Sequence, residues 1–102
     1  MRNSKIGQIK AYDTTLDLVR QAYSDGNLAI EVVSAEDGER YGVLTVNLPQ
    51  SVDLAKNGEF AVKTWNENAP MREPALASGL FVDTGKRIPT GWVEAEVWRL
   101  AN

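Results

Sequence analysis

Residues 14–48, TTLDLVRQAYSDGNLAIEVVSAEDGERYGVLTVNL, read as three strands joined by two tight turns. Asp25-Gly26 and Asp37-Gly38 are the turn signals, because an Asp-Gly pair accepts the positive φ values that hairpin loops require. Between them, Leu28-Ala29-Ile30-Glu31-Val32-Val33 is rich in β-branched residues and suits a strand. Residues 40–48 alternate, with Leu44, Val46 and Leu48 on one face and Tyr41, Val43 and Thr45 on the other. Pro49 ends that run, since it cannot donate to a ladder. Residues 14–23 admit two readings: as a strand they set Leu16, Leu18 and Ala22 on one face, and as a helix they group Leu16, Val19 and Tyr23. The turn that follows directly favours the strand. Strands over 14–23, 28–35 and 40–48 with such short connections pair antiparallel.

On the N-terminal side, residues 6–12 form a further short strand with Ile9 and Ala11 on one side. Beyond Pro49, residues 51–56 hold one helical turn closed by Asn57-Gly58, and residues 59–65, EFAVKTW, alternate as another strand. The best helix lies within residues 66–79, with Asn68 as its cap, Pro70 in its first turn and Gly79 as a left-handed C-terminal cap. Pro74 shortens it to roughly two turns, residues 68–78. Residues 83–91 read as a polar loop and residues 92–100, WVEAEVWRL, as a closing strand. A length of 102 residues suits one domain spanning 1–102. The expected class is α+β: a twisted antiparallel sheet of five or six strands with one short helix packed on it, or a small partly open barrel.

Cysteine and histidine are both absent. Disulfides, the usual structural zinc sites, iron–sulfur clusters, Cys nucleophiles, Ser-His-Asp triads and imidazole pH switches go with them. No cofactor and no metal site are expected. The start, residues 1–10, carries positive charge without an apolar core and does not read as a signal peptide, and no run approaches the roughly 20 apolar residues of a membrane span. A soluble, cytoplasmic protein with no membrane role is expected. A formal net charge of −3 without any basic stripe argues against nucleic acid as a partner.

Five blocks of sequence carry a resemblance: Asn27-Leu28-Ala29-Ile30; Tyr41 with Leu44-Thr45-Val46-Asn47-Leu48-Pro49; Val62-Lys63-Thr64-Trp65 with Asn66-Glu67-Asn68; Ala77-Ser78-Gly79-Leu80; and Pro89-Thr90-Gly91. In these blocks the chain resembles a family of small proteins, a domain of unknown function, encoded on bacterial phages, plasmids and conjugative elements. The chain departs from that pattern at Trp98, where Cys or Tyr is frequent, and its first 26 residues match poorly. The resemblance implies a mobile-element context and no assigned active site.

The candidate interaction residues are Trp65, Asn66, Glu67, Trp92 and Trp98. Lys63, Trp65, Asn66, Glu67 and Asn68 form the densest polar-aromatic run. Trp65 there is either an interface anchor flanked by hydrogen-bonding groups or a core plug beside a helix cap. Trp92 and Trp98, six residues apart in one strand, would share a face and form either a docking platform or part of the core. Glu94 and Glu96 lie on the same face and read as solvated carboxylates, Asp83-Thr84-Gly85-Lys86-Arg87 as a turn, and Glu36-Asp37-Gly38-Glu39 as a hairpin tip. With the usual catalytic chemistry missing, the expected function is a non-enzymatic protein–protein interaction module of a bacterial mobile element. An inhibitor of a host defence system of the anti-CRISPR or anti-restriction type is one form of it. A small-molecule or nucleotide-binding accessory domain is the alternative. The expected partner is another protein, with a homodimer through an edge strand or the Trp face as one version.

Overall fold

The computed structural model describes residues 4–101. Its first half follows the alternation closely. Strands β1 (Ser4–Ala11), β2 (Thr14–Ala22), β3 (Leu28–Ser34) and β4 (Arg40–Val43) form an antiparallel sheet in that order. Of the segment 14–23, which reads as strand or helix, residues 14–22 are strand and Tyr23 belongs to the turn. Pairing of Ile9 with Leu16, of Leu18 with Val32 and of Arg20 with Ile30 puts the apolar positions of three strands on one face. Gly26 and Gly38 take φ of 90° and 77°, the role expected of each Asp-Gly pair.

The chain then changes sheets within a few residues. The Leu44 N–H donates to the Ile30 carbonyl in the first sheet at 2.8 Å, whereas the Leu44 carbonyl accepts from the Lys63 N–H at 2.9 Å and the Val46 N–H donates to the Ala61 carbonyl at 3.0 Å. A bridge between Thr45 and Val62 completes the seam. After helix α1 (Ser51–Lys56), strand β5 (Glu59–Val62) therefore begins a second sheet. A 3-10 helix (Asn66–Met71) runs into α2 (Arg72–Ala77), followed by β6 (Phe81–Thr90) and β7 (Val93–Leu100). The second sheet is antiparallel in the order β5-β7-β6.

This corrects the expectation of one sheet of five or six strands with one helix at 68–78. Among the described residues the strands divide four and three between two sheets. Two physical causes account for the difference. The expected strand at 40–48 is interrupted, because its second half exchanges β3 for β5 as partner. The expected loop at 83–91 is, up to Thr90, most of β6, an edge strand whose register shifts between Asp83 and Arg87. The helix is divided as well. Pro74 has no N–H to offer the Pro70 carbonyl and its ring crowds that position, so residues before Arg72 close as 3-10 turns and the α-helix starts beyond them. Gly79, φ 79°, ends α2 as expected.

Both sheets contribute to one buried cluster, with Ile9, Leu16, Leu18, Ile30, Val32 and Leu44 on one side and Phe60, Val62, Phe81 and Trp98 on the other. Met71 and Ala75 enter it from the helical segment, which touches both β1 and β6. At the β1 side of this closure Gly7 leaves room for Leu80: a Cβ there would stand 2.5 Å from Leu80 Cδ1, and the leucine side chain would have to shift.

Candidate interaction surface

The β6–β7 hairpin closes through a two-residue loop, Gly91-Trp92, between the paired residues Thr90 and Val93. Gly91 supplies the positive φ, 68°, at the first loop position, where a type II′ turn calls for glycine. Pairing of β5 with β7 stops at Val62 and Glu96, whereas β6 and β7 stay paired out to Thr90 and Val93. Val93, Glu94 and Ala95 thus belong to a two-stranded ribbon projecting past the end of β5. Trp92 sits at its tip and is 102% exposed.

An isolated two-stranded ribbon is marginal in water. Here its base is clamped. Arg87 grips Asp83 with two hydrogen bonds of 2.9 Å across the β6 bulge. From the start of α2, Arg72 Nε donates to Glu96 Oε2 at 2.7 Å, while Trp98 Nε1 donates to Glu96 Oε1 at 3.0 Å. Arg72 also lies 3.6 Å from Asp83. The hydrogen bonds from Arg87, aided by a backbone N–H from Gly85, hold the Asp83 carboxyl below its usual range against the opposing effect of burial. Glu96, expected to be a solvated carboxylate, is buried and doubly bonded within this clamp, whereas Glu94 is exposed.

A second exposed aromatic group lies in a turn of the first sheet. The β1–β2 turn, Tyr12-Asp13, takes φ of 55° and 56°, a left-handed pair that is costly for a bulky residue such as tyrosine. Two contacts hold Tyr12 there. Its ring lies 5.7 Å from that of Tyr41, and its hydroxyl donates to the Glu67 carbonyl. Partial burial, then the nearby Glu67 charge, raise the Tyr12 pKa. Glu67 in turn accepts from Lys63 Nζ at 2.7 Å, and that bond keeps its carboxyl ionised to lower pH than usual. Asn66 takes the left-handed conformation, φ 55°, directly after an extended Trp65.

The structure separates the residues that sequence had grouped. Trp65 is half-buried, with Asn66 and Glu67 exposed beside it at the end of the sheet from which the ribbon projects. Trp92 lies outside β7, so it does not form a shared face with Trp98. Trp98 is 0% exposed, packed 5.5 Å from the Phe81 ring and paired across β5 with Phe60. Its register places it on the core side, and it offers no docking surface. Asn68 does not cap a helix: it is buried and its Nδ2 donates to the Val43 carbonyl at 2.8 Å, fastening the 3-10 helix to the seam. The Tyr12 turn escaped the sequence reading, because Tyr-Asp is not a pair that signals a left-handed turn, and with it the packing of Tyr12 against Tyr41.

Among the described residues no cluster of three or more potential metal-ligating side chains occurs, and no helix is long and apolar enough to cross a membrane. Comparison with protein-family models, with curated proteins and with solved structures found no match. Glu67, Asp83 and Glu96 are committed to cations, whereas the Trp92 indole is fully exposed and has no partner among the described residues. Covering ~200 Å² of such a side chain removes apolar surface worth about 5 kcal/mol before the costs of association.

Proposed function

We propose that this chain is a non-enzymatic protein–protein interaction module that inserts Trp92, at the tip of the β6–β7 ribbon, into a pocket on another protein. The carrying observation is the full exposure of that indole on a ribbon whose base is clamped. A pre-positioned aromatic anchor loses little freedom on binding, and tryptophan is the residue most enriched among binding hot spots. Asn66 and Glu67, which follow β5 in the chain, and Tyr12 and Tyr41, joined to them through the Tyr12–Glu67 bond, offer further exposed polar and aromatic groups for such a contact. The resemblance of residues 27–100 to mobile-element proteins supports a cytoplasmic bacterial setting and a host defence protein of the CRISPR or restriction type as partner.

Affinity capture from bacterial lysate with wild type and with Trp92→Ala tests this reading. A protein retained by the wild type, lost with the variant and bound again when both are purified supports it. Equal retention by both, with the variant folded, removes the anchor role. Sedimentation of the two proteins alone covers the self-association version: a dimer that dissociates on Trp92→Ala makes a second copy the partner.

A further inference from the structure

At the opposite end of β7 lies a groove of about 600 Å³ that the Trp92 contact does not involve. It runs from the mouth between the two sheets over the open edge of β5 and under α1. Leu28, Phe60 and Leu100 give it an apolar floor, and Ala55 of α1 forms one rim. Its size falls within the range of about 300–1,000 Å³ that small-molecule sites occupy.

Two arginines line this groove, one from each sheet. Arg20 follows Leu16 and Leu18 at two-residue spacing in β2 and pairs with the buried Ile30, so alternation puts a cation on the core face of the first sheet. Arg99, near the end of β7, is the cross-strand partner of Glu59 and alternates with Trp98 and Leu100, so it lines the groove from the outer side of the β5 edge. Among the described residues its Nη1 donates to the Leu100 carbonyl at 3.3 Å. Among the described residues neither guanidinium lies within ion-pair distance of a carboxylate, although nearly every other cation in this net-acidic chain does. The acid that also lines the groove, Glu59, is already committed. Lys86 bonds it at 2.8 and 3.1 Å, reaching across β7 from the other edge strand.

An apolar trough flanked by two guanidinium groups that form no ion pair among the described residues has the complement of one ligand class. We propose that this groove binds a small carboxylate bearing an unbranched apolar chain, with the chain on Leu28, Phe60 and Leu100 and the carboxylate between Arg20 and Arg99. Guanidinium matches carboxylate in geometry as well as charge, and the apolar floor explains why an inorganic anion alone would leave most of the site unfilled. The site goes beyond the interaction reading and stands independently of it.

The probes are sodium octanoate, octan-1-ol and octylammonium, titrated at matched ionic strength into the ¹⁵N-labelled protein and followed by amide shifts. Octanoate is expected to move amides around residues 20–22, 28, 55–60 and 99–100 while the Trp92 indole signal stays in place. Octanol should bind at least about tenfold more weakly, since hydrogen bonds to charged groups are worth that much, and octylammonium more weakly still. Arg20→Gln and Arg99→Gln should each weaken octanoate about tenfold and leave octanol unchanged, with melting temperatures held. Ala55→Trp, which fills the groove from an exposed helix position, should abolish both, and Trp92→Ala should affect neither. Failure of octanoate to shift the groove amides overturns the proposal. So does octanol or octylammonium binding as tightly as octanoate, or octanoate affinity that survives both arginine substitutions.

Discussion

Two hairpins of this protein end in an aromatic residue, and they treat it in opposite ways. In the β1–β2 turn Tyr12 itself occupies the left-handed position, and its neighbours must hold it there through the Tyr41 ring and the Glu67 carbonyl. In the β6–β7 turn Gly91 takes the left-handed position, so the next residue, Trp92, has no such strain to offset, and among the described residues nothing holds its ring. Exposure alone would class both as surface aromatics. The turn chemistry separates a pin, which spends its contacts on the fold, from an anchor whose contacts are still to be made.

The largest test acts at the root of the second hairpin. Trp98→Ala should cost about 3–5 kcal/mol of stability, because it leaves a cavity beside Phe81 and removes one donor from buried Glu96. Chemical denaturation measures it, and a loss under ~1 kcal/mol would mean the indole is not a core element. At the first hairpin, Tyr12→Phe should cost about 1 kcal/mol by deleting the bond to the Glu67 carbonyl. Tyr12→Gly should cost little more than that, since relief of the left-handed strain offsets the lost ring contact. If Tyr12→Gly is as damaging as a core truncation, the conformational cost assigned to Tyr12 is wrong.

The clamp beneath Trp92 has a pH signature of smaller size. Arg87 depresses the folded-state pKa of Asp83 below its unfolded value of 3.8. Its contribution is therefore complete above that value and is lost as pH falls through the lower folded value. Asp83→Asn should reduce the stability difference between pH 7 and pH 3, as measured by urea denaturation at each pH. An unchanged pH dependence would show that the Arg87 bonds do not form in solution.

Much of the first sheet was legible in the sequence, and the reason is local. Leu16 and Leu18 alternate before the first Asp-Gly turn, and Ile30 and Val32 alternate between the two, so those two strands and the faces they present followed from residues close in sequence. The second sheet depends on partners far apart. Alternation at Leu44, Val46 and Leu48 looks the same whether that strand pairs with β3 or β5, so the seam left no mark. Asp83-Thr84-Gly85-Lys86 reads as a loop because a bulged edge strand tolerates polar residues and glycine. The candidate surface was legible in part. The density of residues 63–68 marked the right segment, yet placing Trp92 one position inside a strand made it a facial residue instead of a tip. Gly91-Trp92 as a II′ loop was the missed signal. Arg20 was readable as well, as the one charged position in the run Leu16, Leu18, Arg20, Ala22.

The smallest expected stability change belongs to the most informative substitution. For Trp92→Ala, stability by thermal melting and affinity for the captured partner should be measured on the same preparation. The stability change should stay within about 0.5 kcal/mol while affinity falls by about thirtyfold or more, the signature of a hot-spot anchor. A variant that melts well below the wild type, or one that binds the partner with unchanged affinity, would contradict the anchor role.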